Sequence, residues 1–104
     1  MAINFVYMTA GSKEEAKKIA AVLVTSKLAA CVNILSNMNS VYFWDGEVQD
    51  DNEVVMIAKT TQANVPELTE KVKSFHSYDC PCIVALPVDS GHQPFLDWIA
   101  NEVK

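Results

Sequence analysis

The dipeptide Asp45-Gly46 lies between two long runs rich in apolar and aromatic residues, Leu28–Trp44 and Glu47–Thr61, and dictates how they meet. Both central residues of a type I′ turn take positive φ, which Asp and Gly tolerate, so this pair between strand-like segments signals a hairpin. Pairing outward from the turn sets Trp44 against Glu47, Tyr42 against Gln49 and Ser40 against Asp51. The polar run Ser36-Asn37-Met38-Asn39-Ser40 then falls opposite Asp50-Asp51-Asn52, and two polar interruptions at one height predict a bend or bulge. Below it, Ala30–Leu35 faces Val54–Thr60. These arms are far longer than the usual ~5–6 residues of a strand.

The segments on either side complete an alternating pattern. Ile3–Thr9 reads as a first strand, apolar on both faces. Ser12 and Glu15 form a capping box for a helix whose apolar stripe is Ala16, Ile19, Ala20 and Leu23, fading near Ser26-Lys27. After the hairpin, Asn64 caps a second helix with Val65, Leu68, Val72 and Phe75 on one side and Glu67, Glu70, Lys71 and Lys73 on the other. Cys82–Leu86 is a fourth strand, with Pro87 ending it or placing it at a sheet edge. Pro94 starts a short last helix carrying Phe95, Trp98 and Ile99 as far as Glu102.

The order is strand, helix, strand, strand, helix, strand, then a short helix. It predicts a single α+β domain, residues 1–104, with a ferredoxin-like βαββαβ sandwich and both main helices on one face of an antiparallel sheet. Such a sheet should alternate apolar and polar residues. Here Phe5-Val6-Tyr7-Met8 and Val54-Val55-Met56-Ile57-Ala58 are apolar on both sides. The second face is therefore expected to be covered by other copies of the chain, in a symmetric homo-oligomer with the hairpin tip as an arm.

Composition narrows the partners. Net charge is −5, and all eight basic residues are lysines, which leaves no arginine fork for phosphate or base edges and disfavours nucleic acid. No apolar run approaches the ~18 residues of a membrane span. Met1-Ala2-Ile3-Asn4 lacks the charged and apolar regions of a signal peptide. Three cysteines, Cys31, Cys80 and Cys82, are an odd number and argue for reduced thiols in the cytoplasm.

Several blocks resemble the CutA divalent-cation-tolerance family in register. They are Lys27–Ile34, Ser40–Gly46, Ile57–Thr61, His76-Ser77-Tyr78-Asp79-Cys80-Pro81 and Leu96-Asp97-Trp98-Ile99. The resemblance implies a ferredoxin-like fold, a homotrimer similar to the PII signalling proteins, a cytoplasmic location, and association with copper or other divalent cations, none of them required for folding. It also implies copper-binding positions. These are a cysteine late in the first strand, occupied here by Met8; the histidine before the H-x-Y-x-x-P turn, here His76; and an acidic residue after that proline, here Cys82. A thioether and a thiolate are soft donors suited to Cu(I).

His76, Cys80 and Cys82 are the densest group of candidate ligands, and on an extended segment Cys80 and Cys82 point to the same side. The plainer reading is a histidine closing a helix and small cysteines packed at a strand start; Cys31 reads as core. Lys59, inside an apolar strand, needs an anion or a carboxylate, and Tyr78 and Trp44 offer aromatic walls for a small-ligand pocket at a subunit cleft. Alternatively Lys59 snorkels among interface aromatics. The carboxylates Asp45, Glu47, Asp50, Asp51 and Glu53 read as solvated charges that deter edge pairing. No nucleophile elbow, phosphate loop or Ser/His/Asp set is present, so no catalysis is expected. The two functions in view are a trimeric metal-homeostasis protein and a PII-like regulatory module.

Overall fold

The computed structural model describes residues 2–104. Its strands are β1 (Ile3–Ala10), β2 (Cys31–Trp44), β3 (Glu47–Thr61) and β4 (Ile83–Pro87); its helices are α1 (Lys13–Thr25), α2 (Val65–Phe75) and α3 (Gln93–Glu102). The sheet order is β2-β3-β1-β4, with every neighbouring pair antiparallel, which is the ferredoxin-like arrangement. Among the described residues no helix is long and apolar enough to cross a membrane.

The hairpin pairs as the turn chemistry dictates. Asp45 and Gly46 both take positive φ, and Trp44↔Glu47, Tyr42↔Gln49 and Ser40↔Asp51 are partners. Between Leu35↔Val55 and Met38↔Glu53 the ladder slips, so Ser36 and Asn37 together oppose Val54, with Asn37 at φ 63°. This is the bulge, and beyond it the arm runs out to give the molecule a long dimension of 44 Å against 25 and 22 Å.

The core lies between one sheet face and α1 and α2. Val6, Met8, Ala10, Met56 and Ala58 meet Ala16, Ile19, Leu23, Leu68 and Val72 there. α1 ends in a Schellman motif: Leu28 N–H bonds Leu23 O, Lys27 N–H bonds Val24 O, and Lys27 occupies the left-handed region at φ 61°. The expected cap at Asn64 does not form. Gln62–Asn64 make a 3₁₀ turn, and the buried Asn64 amide donates to Thr61 Oγ1 and to Lys104 O instead, because ties at the chain's end outcompete a local cap.

The opposite face needs a correction as well. Part of it is covered from within the chain, since α3 packs on β3 and β1, burying Ile99 completely and laying Phe95 beside Lys59. The rest stays open: Leu35, Val84 and Leu86 are each about half exposed. Near the tip Val41, Phe43 and Val48, which the register puts on the other, helix-facing side of the ladder, are about 70 % exposed.

Candidate functional site

Three distant stretches converge beside the bulge: the C-terminal end of β1, the first turn of α1 and the turn that follows α2. His76 leaves α2 with its side chain enclosed. Its Nε2 lies 2.7 Å from Thr9 O, and Tyr78 N–H donates to Nδ1 at 3.0 Å. A carbonyl only accepts and an amide N–H only donates, so these bonds define a neutral ring protonated at Nε2. Neither nitrogen keeps a free lone pair.

Glu15 ties the same turn to α1. The Ser12 hydroxyl accepts the Glu15 N–H at 3.1 Å, which is half of the expected capping box. The other half is diverted: the Glu15 carboxylate accepts Ser77 N–H at 2.7 Å and Gly11 N–H at 3.4 Å, and sits 3.8 Å from His76 Nδ1. Burial opposes its charge, but the hydrogen bonds from Ser77 and the Gly11 N–H hold the carboxyl below its usual range.

Tyr78 links the turn to the hairpin, its hydroxyl donating to Glu53 Oε2 at 2.9 Å. Burial, reinforced by the Glu53 carboxylate, pushes the phenol up to about 12. The ring packs on His76 and leaves little room at Gly11, where a Cβ would lie 3.3 Å from the Tyr78 oxygen. An open groove of about 410 Å³ adjoins this cluster, lined by Gly11, Lys13, Ser36, Asn37, Asn52, Glu53 and Val54. Cys82 immediately precedes Ile83, the partner of Met8, and burial followed by the Glu53 charge raises its thiol. Cys80 is exposed, and all three cysteines are free.

The candidate ligands fare differently. His76 and Cys82 both flank the end of β1, while Met8 is sealed in the core with no exposed surface. Among the described residues no three His, Cys, Asp or Glu side chains gather into a metal-holding set. Lys59, Tyr78 and Trp44 do not line one pocket within a chain. Lys59 Nζ lies between the Phe5 and Phe95 rings at 5.6 and 5.4 Å, whereas Trp44 is at the hairpin tip, twelve residues further along the ladder or roughly 40 Å of strand. The hairpin carboxylates are more than solvated charges, since Asp50, Asp51 and Glu53 accept from Asn39, Tyr42 and Tyr78. Sequence reasoning missed Glu15 and Glu53 as organisers of the turn. The alternating polar positions of the arm hinted at Glu53, but nothing local joins Glu15 to Ser77.

The fold and this knot of side chains place the chain among the small α+β proteins with an extended hairpin. The family model described as CutA1 divalent ion tolerance protein matches residues 4–102, and the chain belongs to that family. It is 46 % identical over 101 residues to the divalent-cation tolerance protein CutA of Archaeoglobus fulgidus, covering 97 % of this chain and 98 % of that one. It is 43 % identical over 99 residues to the chloroplastic CutA 1 of Oryza sativa subsp. japonica; that match covers 95 % of this chain but only 56 % of the rice protein. The solved structure of the Thermus thermophilus divalent cation tolerance protein superposes with a TM-score of 0.95 at 43 % identity, covering 98 % of this chain and 99 % of the other.

Proposed function

We propose that this chain is a divalent-cation-tolerance protein acting in the cytoplasm as a homotrimer, that copper is the cation it handles, and that it catalyses no reaction. The observation that carries the reading is the extent of the family match, residues 4–102, with relatives named for cation tolerance along nearly all of this chain. Assembly is supported by the apolar face left open at Leu35, Val84 and Leu86. Copper is supported by sulfur donors at the end of β1, and the cytoplasm by three unpaired cysteines. The test is growth of a host lacking its own member of this family on graded copper, zinc and cobalt salts, with and without this chain. Restored growth on copper is expected; no effect with any salt overturns the reading.

The groove beside Glu53 favours a second reading, a PII-like regulatory module that takes a small ligand at a subunit cleft, with Tyr78 bonded to Glu53 at its edge and a neighbour's hairpin tip, Trp44 included, completing it. A thermal shift with a small metabolite, abolished by Tyr78→Ala, supports it. A flat response across a metabolite panel counts against it.

A further inference from the structure

The bulge and the start of α1 line one groove. Ser36 and Asn37, the two residues that oppose Val54, bring it a hydroxyl and an amide from β2, while Asn52 and Glu53 reach it from β3. Lys13, the first residue of α1, lines it as well. The groove holds about 410 Å³, which is the scale of a small-molecule site. Its lining carries one charge of each sign. The ion pairs among the described residues are Lys73 with Glu70, His76 with Glu15 and Lys104 with Glu67, so Lys13 and Glu53 are paired neither with each other nor with another described side chain. One Glu53 oxygen takes the Tyr78 hydroxyl, which fixes the carboxylate and leaves the second oxygen to the groove. Asn52 is oriented in the same way: its side-chain oxygen accepts from Asn39 at 3.1 Å, and its own amide N–H groups remain to donate.

We propose that this groove binds one small zwitterion of the amino-acid class, its carboxylate on Lys13 and its ammonium on the second oxygen of Glu53. The ligand's two charged ends match what the lining offers. A carboxylate only accepts, and Lys13 and the Asn52 amide only have protons to give it; an ammonium only donates, and Glu53 and the oxygens of Ser36 and Asn37 accept. The same two charges exclude other ligands. A nucleotide or a dicarboxylate sets a second negative charge against Glu53, and a diamine sets a second positive charge against Lys13. An apolar ligand would strip water from both charges with no bond in return. Such a ligand presupposes the regulatory-module reading and gives it a chemical class. Lys13 is exposed and Glu53 half-buried, so water weakens both contacts and a dissociation constant on the order of a millimolar is expected.

The test is a titration of isotope-labelled protein followed by backbone amide NMR, a readout suited to weak binding. The probes are glycine, β-alanine, γ-aminobutyrate and ε-aminocaproate, whose charges stand progressively further apart. Butyrate and butylamine, each keeping one charge of γ-aminobutyrate, are run beside them. At least one zwitterion should saturate at one per chain, with the shifts centred on Gly11, Asn37 and Glu53 of the wild type, a result that needs no variant to fold. Lys13→Gln and Glu53→Gln, checked for folding by circular dichroism, should each weaken that binding roughly tenfold. Lys17→Gln, exposed on the same helix, should bind as the wild type does.

Three results overturn the zwitterion site: no saturable shift with any of the four, butyrate or butylamine bound as tightly as the zwitterion, or binding that ignores Lys13→Gln. A metabolite of another class that raises the melting temperature while all four zwitterions stay silent also overturns it, and leaves the small-ligand reading standing. A flat response to the whole metabolite panel ends both.

Discussion

Glu15 holds backbone N–H groups from two separate parts of the chain, Gly11 before its own helix and Ser77 after α2. A charged acceptor serving such bonds is worth about 1–3 kcal/mol, so Glu15→Ala should cost about 2 kcal/mol in denaturant unfolding at neutral pH. The sign with pH follows from the lowered carboxyl. The native state favours the carboxylate, so this stability is present above the ordinary 4.5 and is lost as pH falls through the native value. Glu15→Gln should flatten the acid limb of a stability profile. Tyr78 works in the opposite direction. Its phenol keeps its proton up to about 12 in the fold against 10.0 in the unfolded chain, so its contribution is present below pH 10.0 and lost as pH climbs toward 12. Tyr78→Phe should remove that alkaline loss, seen as a urea midpoint that falls less steeply over the same range. Only half of this knot was legible beforehand. Ser12 and Glu15 have capping-box spacing, and the Ser12 half forms; the Glu15 side chain instead meets a residue 62 positions away, which no local pattern encodes.

The elements were far more legible than the site, for a physical reason. A two-residue turn with positive φ at both positions fixes the register of everything paired beyond it, so Asp45-Gly46 sufficed to place Trp44, Tyr42 and Ser40 opposite their partners. The bulge followed from polar residues at matching heights, and its geometry now makes Asn37 the residue that tolerates the left-handed region. Asn64 misled because its amide found a tertiary partner in Lys104 O, at the far end of the chain. Lys27 is the least suited residue in the fold's turns, a side chain with a Cβ in the left-handed region where helix ends favour glycine. Lys27→Gly keeps both Schellman bonds and relieves that strain. It should stabilise the fold by roughly 0.5–1 kcal/mol, less than the full left-handed cost because glycine also frees the unfolded chain. Denaturant titration at one fixed protein concentration checks it.

At the scale of the whole molecule, the sheet has one face closed by α1 and α2 and one closed only at the end where α3 crosses it. Lys59 lies on that second face between Phe5 and Phe95, held by two ring faces. Leu86, opposite Phe5 at the sheet edge, is 52 % exposed in a single chain. A charge placed at such a position on a free surface changes stability by no more than about 0.5 kcal/mol, whereas burial of that charge against a second copy would be costly. Leu86→Glu therefore separates the two situations. In the trimer proposed here, the wild type should scatter light as about three times the 11.5 kDa chain and unfold at a temperature that rises with protein concentration. Leu86→Glu should shift the mass toward a single chain and remove the concentration dependence. A wild type that scatters as one chain at every concentration, with Leu86→Glu equally stable, would mean that this face meets water. The apolar residues of β1 and β3 would then need a partner other than the chain itself.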